Sequence, residues 1–322
     1  MTAAGGFVAL ANAPVSFGVW GPHQGPPGVS GSDVLGAVAA AGYAGSELGP
    51  PGYLGTEAES AKIFAEHGLQ FAGVYVGIDL RGPVGLSPQA RDGLERVCRS
   101  VLLVHQLARE SGAPQAGLPL GPIVLADDGS DLLRDHPARD PADRLLAIDD
   151  AGWRDAAVTI SAAQALVGEY GLTTSFHPHL VTHVEARWEV ERLLETTTVG
   201  ITLDTGHLLL AGAEPVQCLR DWGPRVDHVH LKDVSLEVLA QARREGRARI
   251  DNWWGSACVP FGVGDVDLRG VVETLVSSAY RGWVVVEQDH TPTAADRLEA
   301  LVAQQQANRD WLIRTLAGTG AR

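Results

Sequence analysis

Gly200-Ile-Thr-Leu-Asp204-Thr-Gly-His207 and, after a helical interval, Val226-Asp-His-Val-His230-Leu-Lys-Asp233 are two short apolar runs that each close on residues able to do chemistry. The same design stands on either side of them, in Thr173-Thr-Ser-Phe-His177-Pro-His179 upstream and Trp283-Val-Val-Val-Glu287-Gln-Asp-His290 downstream. Short apolar runs separated by longer amphipathic stretches read as repeated strand–helix units on a parallel sheet. Outward from this core the pattern predicts strands over residues 8–15, 43–48, 70–76, 122–126, 173–176, 200–203, 226–231 and 283–286. Helices are predicted over 33–41, 57–67, 88–111, 153–170, 185–195, 215–221, 268–279 and 293–316. Eight alternations over the whole of residues 1–322 imply an α/β fold of one domain, a (β/α)8 TIM barrel. No Gly-x-Gly-x-x-Gly follows the first strand, which weighs against a dinucleotide-binding sheet.

Punctuation supports these limits. Ser32 or Asp33 can cap the first helix and Gly42 can end it; Gly68 and Gly171 close two others, and Pro215 suits an early helical position. Two segments exceed a minimal barrel. Residues 126–150 are rich in Asp and Pro, and residues 235–264 hold Arg243, Arg244, Arg247 and Arg249, read as a solvated helix face. Both follow strands, so both are expected as long loops on the C-terminal face, where active-site covers are usual.

Composition narrows the function. Apolar residues make up 45% and charged residues 20%, as in globular proteins. A formal charge of −14 disfavours nucleic acid and anionic membranes as partners. No apolar run is long enough for a bilayer and no secretory leader is legible, so a cytoplasmic location is expected. Cys98, Cys218 and Cys258 form neither a disulfide framework nor a Cys-x-x-Cys site; the first two read as core fillers and the third lies in a loop.

In a (β/α)8 barrel the C-terminal strand ends converge on one site. Four consecutive strands therefore bring His, Asp, His and Glu to one rim. Mixed imidazole and carboxylate donors suit a divalent ion, with Mn2+ first and Co2+, Fe2+, Ni2+, Zn2+ or Mg2+ as alternatives; the lack of Cys argues against a closed structural zinc. Each motif alone is unspecific, and of two histidines on one strand face one can serve only as a support. Glu47 ends the second strand and either binds a substrate hydroxyl, acts as a base or faces outward. Trp20, His23 and Tyr75 are candidates to line the pocket, Trp20 equally a core residue. Trp253 and Trp254 either cover the site or meet a partner subunit.

From Leu172 to Asp289 the sequence resembles the inosose dehydratase branch of the xylose-isomerase-like barrels, a superfamily of sugar isomerases and epimerases. SFHPHLVTHVE, ITLDTGHLLLAGAEPV, RVDHVHLKDV, FGVGDVDLRGVVETL and YRGWVVVEQD carry the likeness, with APVSFGVW and GYAGSELGPPGYL earlier. The resemblance implies that Asp204, His230 and Glu287 are metal ligands. His177 is the fourth, where many superfamily members have Glu. It sets His207 beside the metal against substrate and Lys232 near the developing negative charge. His179 and Glu287 join these two as expected catalytic residues. One departure is visible: Phe17-Gly18-Val19-Trp20-Gly21-Pro22 stands where the dehydratases commonly have a Trp-x-Asn-Asp-like element.

The expected partner is a small sugar or cyclitol ketone, with a homo-oligomer possible in principle. Polarising its carbonyl acidifies the adjacent C–H, and a base then gives an enediolate. Loss of a β-hydroxyl is dehydration, the favoured outcome, with Lys232 and the two histidines of the fifth strand end at hand. The alternatives are isomerisation or epimerisation, expulsion of an aglycone from a 3-keto glycoside, and an inactive barrel that serves as a binding subunit.

Overall fold

The structure, a computed structural model, describes residues 9–20, 23–110 and 120–319; Val8 and Ser111, the outermost residues of two predicted elements, lie outside them. Eight strands form the ring: β1 (Ala9–Asn12), β2 (Gly45–Glu47), β3 (Gln70–Ile78), β4 (Ile123–Asp127), β5 (Thr174–Phe176), β6 (Gly200–Asp204), β7 (Val226–Leu231) and β8 (Trp283–Val286). All pair in parallel in the order β1-β8-β7-β6-β5-β4-β3-β2, and β1 against β2 closes the barrel. The long outer helices are α1 (Gly31–Ala40), α2 (Glu57–Glu66), α3 (Pro88–Glu110), α4 (Asp150–Glu169), α5 (Arg187–Thr196), α6 (Pro215–Trp222), α7 (Leu268–Ser277) and α8 (Leu298–Gly318).

Strand alternation explains the interior. Trp283, Val285 and Glu287 share the inward face of β8, so an indole lies at the bottom and a carboxylate at the top. Ala11, Ala13, Ala72, Trp283 and Val285 form a buried cluster of their own, apart from the larger core between strands and helices. Gly45 makes room for the indole, since a Cβ there would lie 2.7 Å from Trp283 Cη2. Bulk from one strand is thus matched by minimal side chains on its neighbours.

The helix starts are set by local bonds. Ser30, rather than Ser32 or Asp33, caps α1: its Oγ accepts from Asp33 N, and Asp33 Oδ2 accepts from Ser30 N at 2.8 Å. Ser32 instead meets His67 Nε2 at 3.1 Å. Thr56 and Glu59 build the same reciprocal box on α2, a device that contributes ~1 kcal/mol. Gly42 ends α1 at φ +88°, a left-handed geometry that a side chain would strain. Helix α5 begins two residues later than predicted because Glu185 is drawn into the fold. Its carboxylate accepts from Arg139 N and Val181 N at 2.7 Å each, while Arg139 binds Glu189. Burial pushes the Glu185 carboxyl up to about 7 against the pull of Arg139. Helix α8 starts later than residue 293 because Asp296 folds Thr293–Asp296 into a turn, accepting from Thr293 N and pairing with His290.

Both predicted insertions project from the C-terminal face, and neither is plain loop. The first contains a short helix, Asp131–Asp135, capped by Ser130; the second contains helices Leu236–Arg244 and Trp254–Ala257. They brace one another. Arg134 pairs with Asp251, Arg249 reaches Asp135 at 2.6 Å and Asp131 at 3.3 Å, and Arg243 donates to Ala138 O at 2.5 Å. The arginine run is therefore not simply a solvated face: Arg243 and Arg249 cross to the acidic insertion, while Arg244 and Arg247 pair locally with Glu237 and Glu245. Asp233 pins the far end of the second insertion, accepting from the backbone N–H groups of Val234, Gly262, Gly264 and Val266.

Candidate metal centre

Register brings the strand ends to one level. Asp204 on β6 stands beside His230 on β7, and His230 beside Val285 on β8, one inward step below Glu287. His177 follows β5 directly. His177 Nε2 lies 3.6 Å from Asp204 Oδ2, His230 Nδ1 lies 3.9 Å from the same oxygen and 3.4 Å from Glu287 Oε2. All four side chains are buried.

Neighbouring bonds decide which atom each ligand candidate presents. His177 Nδ1 donates to Pro178 O at 2.8 Å, which turns the lone pair of Nε2 toward Asp204. His230 Nε2 donates to Glu47 Oε1 at 3.0 Å and leaves Nδ1 toward the centre. Asp204 divides its oxygens: Oδ1 caps the helix Thr205–Leu210 by accepting from Gly206 N and His207 N, and Oδ2 faces the centre. Among the described residues Asp204 Oδ2 and His230 Nδ1 are buried with no hydrogen bond, their charged neighbours Lys232 Nζ and Glu287 Oε2 each standing off at 3.4 Å. Buried polar atoms are nearly always paired, so two such atoms converging on one point fit a missing partner. With Glu287 and His177 beside them, the donors suit a divalent ion that accepts nitrogen and oxygen; Asp204, His230 and Glu287 lie close enough together to share one.

Glu47 faces inward. Its Oε1 accepts from His228 Nε2 as well as from His230 Nε2, both at 3.0 Å, so the paired histidines of β7 point the same way and share one anchor. Gly73 opposite leaves the space, since a Cβ there would lie 2.6 Å from Glu47 Oε1. Burial alone would raise the Glu47 carboxyl, but the neighbouring His230 and the hydrogen bonds from both histidines outweigh it and hold it well below its usual range.

Above the ligand candidates sits a second tier. Lys232 is buried, with Nζ 2.8 Å from Asp289 Oδ1, 3.0 Å from Glu287 Oε2 and 3.4 Å from Asp204 Oδ2. Burial would lower its pKa, yet Asp204, Asp289 and Glu287 raise it well above the usual value, so the ammonium keeps its charge. His179 donates from Nδ1 to Leu180 O at 2.7 Å and so offers a free Nε2; burial, then His177, pushes it down to about 3. His207 packs on it at 3.7 Å between ring centroids, accepts at Nδ1 from Leu180 N at 3.4 Å, and so carries its proton on Nε2. Burial and then His179 hold its pKa well below the usual value.

Trp254 covers this tier from the second insertion. It stacks on His207 at 4.8 Å with 13° between planes and donates to Asp289 Oδ2 at 2.8 Å. Trp253 is buried, its indole bonded to Ala248 O at 2.9 Å, so neither indole is left for a partner subunit. Trp20, His23, Glu47, Tyr75, His177, His179, His207, His230, Lys232 and Glu287 all line a single cavity of about 1280 Å3, with Asp204 beneath its floor. Sequence reasoning missed Asp289, although its spacing of two from Glu287 puts it on the same face. Among the described residues no helix is long and apolar enough to cross a membrane.

Residues 35–314 match the family described as Xylose isomerase-like TIM barrel. An inosose dehydratase of Bacillus velezensis is 32% identical over 167 residues, 51% of this chain and 56% of that protein. One from Geobacillus kaustophilus is 28% identical over 267 residues, 81% of each chain. The chain spans a little over half the length of the first of the curated relatives it matches. A solved structure, the probable 3-DHS dehydratase AsbF of Bacillus anthracis, shares the fold at 14% identity, with a TM-score of 0.62 over 93% of this chain and 98% of that one.

Proposed function

Since the chain belongs to the xylose isomerase-like TIM barrel family, we propose that it is a divalent-metal-dependent carbon–oxygen lyase that dehydrates an inosose-like sugar or cyclitol ketone. The observation that carries this reading is the convergence of Asp204 Oδ2 and His230 Nδ1, both buried and unbonded, on a point flanked by His177 and Glu287. The names of the curated relatives agree with it. His177, Asp204, His230 and Glu287 hold the ion, Mn2+ first among the candidates, and when bound it supplies Lewis acidity to the ketone.

The chain's own groups do the rest. Lys232 holds a positive charge beside the carbonyl oxygen as negative charge grows there. His179, neutral with Nε2 free, takes the proton from the carbon next to the ketone. The electron pair moves into the new C=C bond, the C–O bond at the β carbon breaks, and the departing oxygen receives the proton that His179 had taken. His207 Nε2–H donates to a substrate hydroxyl, and Trp254 keeps water off. Return of the proton to carbon instead of oxygen would make the same site an isomerase or epimerase.

Asp204→Ala and Glu287→Ala are expected to fold and to lose the ion and the activity. A full metal complement in both by elemental analysis rules the assignment out. Incubated with 2-keto-inositol, the metal-loaded protein should form a product lighter by one water with new ultraviolet absorbance. Unchanged mass with solvent deuterium beside the carbonyl establishes isomerisation or epimerisation instead.

A further inference from the structure

The cavity runs from the centre outward between α2 and α3. Its volume of about 1280 Å3 includes that outer groove, so only part of it lies above the centre. Polarity is graded within it. The floor carries the histidines, Lys232, Glu287 and Asp289, whereas Val15, Trp20, Leu54, Tyr75, Val181 and Ile250 form apolar walls above. Arg134 and Asp251 on the rim are paired with each other. Hydroxyls turned toward those apolar walls would face groups that cannot bond them.

The walls are also fixed in place. The Trp20 indole donates to His290 O at 2.9 Å, and Trp254 is held by Asp289 at 2.8 Å. Tyr75, on β3, lies 6.4 Å from both the His177 and the His179 ring and remains 39% exposed into the cavity. Rings from three separate parts of the chain thus surround the mouth, and a held aromatic surface beside a polar floor suits an amphipathic ligand.

We propose that the substrate is a keto sugar or ketocyclitol bearing an apolar ring, with the polyol on the floor and the apolar ring in the upper compartment against Tyr75. This rests on the lyase reading of the same centre. The test compares methyl and phenyl 3-keto-β-glucosides on the metal-loaded protein by calorimetry, because elimination beside this ketone breaks the C1–O bond and expels methanol or phenol, whose leaving abilities differ whatever the walls do. The phenyl compound should bind at least tenfold tighter than the methyl compound. Tyr75→Ala and Ile250→Ala, each checked for metal content, should bring the two compounds together. Equal affinity for the two compounds overturns the proposal, as does a phenyl preference in binding that survives in both variants. If the phenyl compound binds tenfold tighter but 2-keto-inositol is not dehydrated, the apolar compartment stands and the lyase reading falls.

Discussion

Glu47, which also lines the cavity, shows how a residue can set the centre through its neighbours. Its Oε1 fixes both histidines of β7, and thereby decides that His230 turns Nδ1 upward. Second contacts of this kind typically change metal affinity by about 10–100-fold. Glu47→Ala is therefore expected to weaken metal binding by roughly that factor while circular dichroism stays native, and a metal titration that matches the parent removes this role. The sequence offered three roles for Glu47 and not this one. The reason is local: β2 is only three residues long, and its register against β3 shifts between Ser46 and Glu47, which no alternation pattern announces. Asp204, His230 and Glu287 were legible because each closes a regular apolar run. The tautomers of His177, His179 and His207 were not, because they depend on the carbonyls and N–H of Pro178 and Leu180 curling back beside the rings.

At the scale of elements, the two insertions behave as a pair. Arg134 and Arg249 tie the acidic helix Asp131–Asp135 to the segment that carries Trp254 over the centre, and Arg243 adds a bond to Ala138 O just beyond that helix. These pairs are exposed, so each contributes little singly and salt screens them. Arg249→Glu is expected to raise KM severalfold with metal content unchanged, high salt should act in the same direction, and Asp135→Arg in the same chain should recover part of the loss. Additive losses in the double variant dismiss the brace. Eight barrel strands were readable from apolar periodicity, and most helix limits fell within a few residues. The short helices inside the insertions escaped because few residues define a period there, and because their stability comes from bonds across the two segments. The cap of α1 moved to Ser30 for a related reason: Ser32 is drawn toward His67, just past the end of α2.

For the molecule as a whole, the proposed ion would join β5, β6, β7 and β8, half of the ring. A ligand that binds only the folded chain stabilises it by about 2.7 kcal/mol at a hundredfold excess over Kd. Chelation should lower Tm by several degrees, and less in Asp204→Ala than in the parent chain; an equal drop in both points to an ion bound elsewhere. The floor of the barrel has a further consequence. Trp283, closed in by Gly45 and the alanines of its cluster, stops the ring from below. Among the described residues the way in and the way out then share one mouth, past Trp254 and Tyr75, and product waiting there blocks the next arrival. Initial-rate measurements with added product should accordingly show competition with substrate, with KM rising and kcat unchanged.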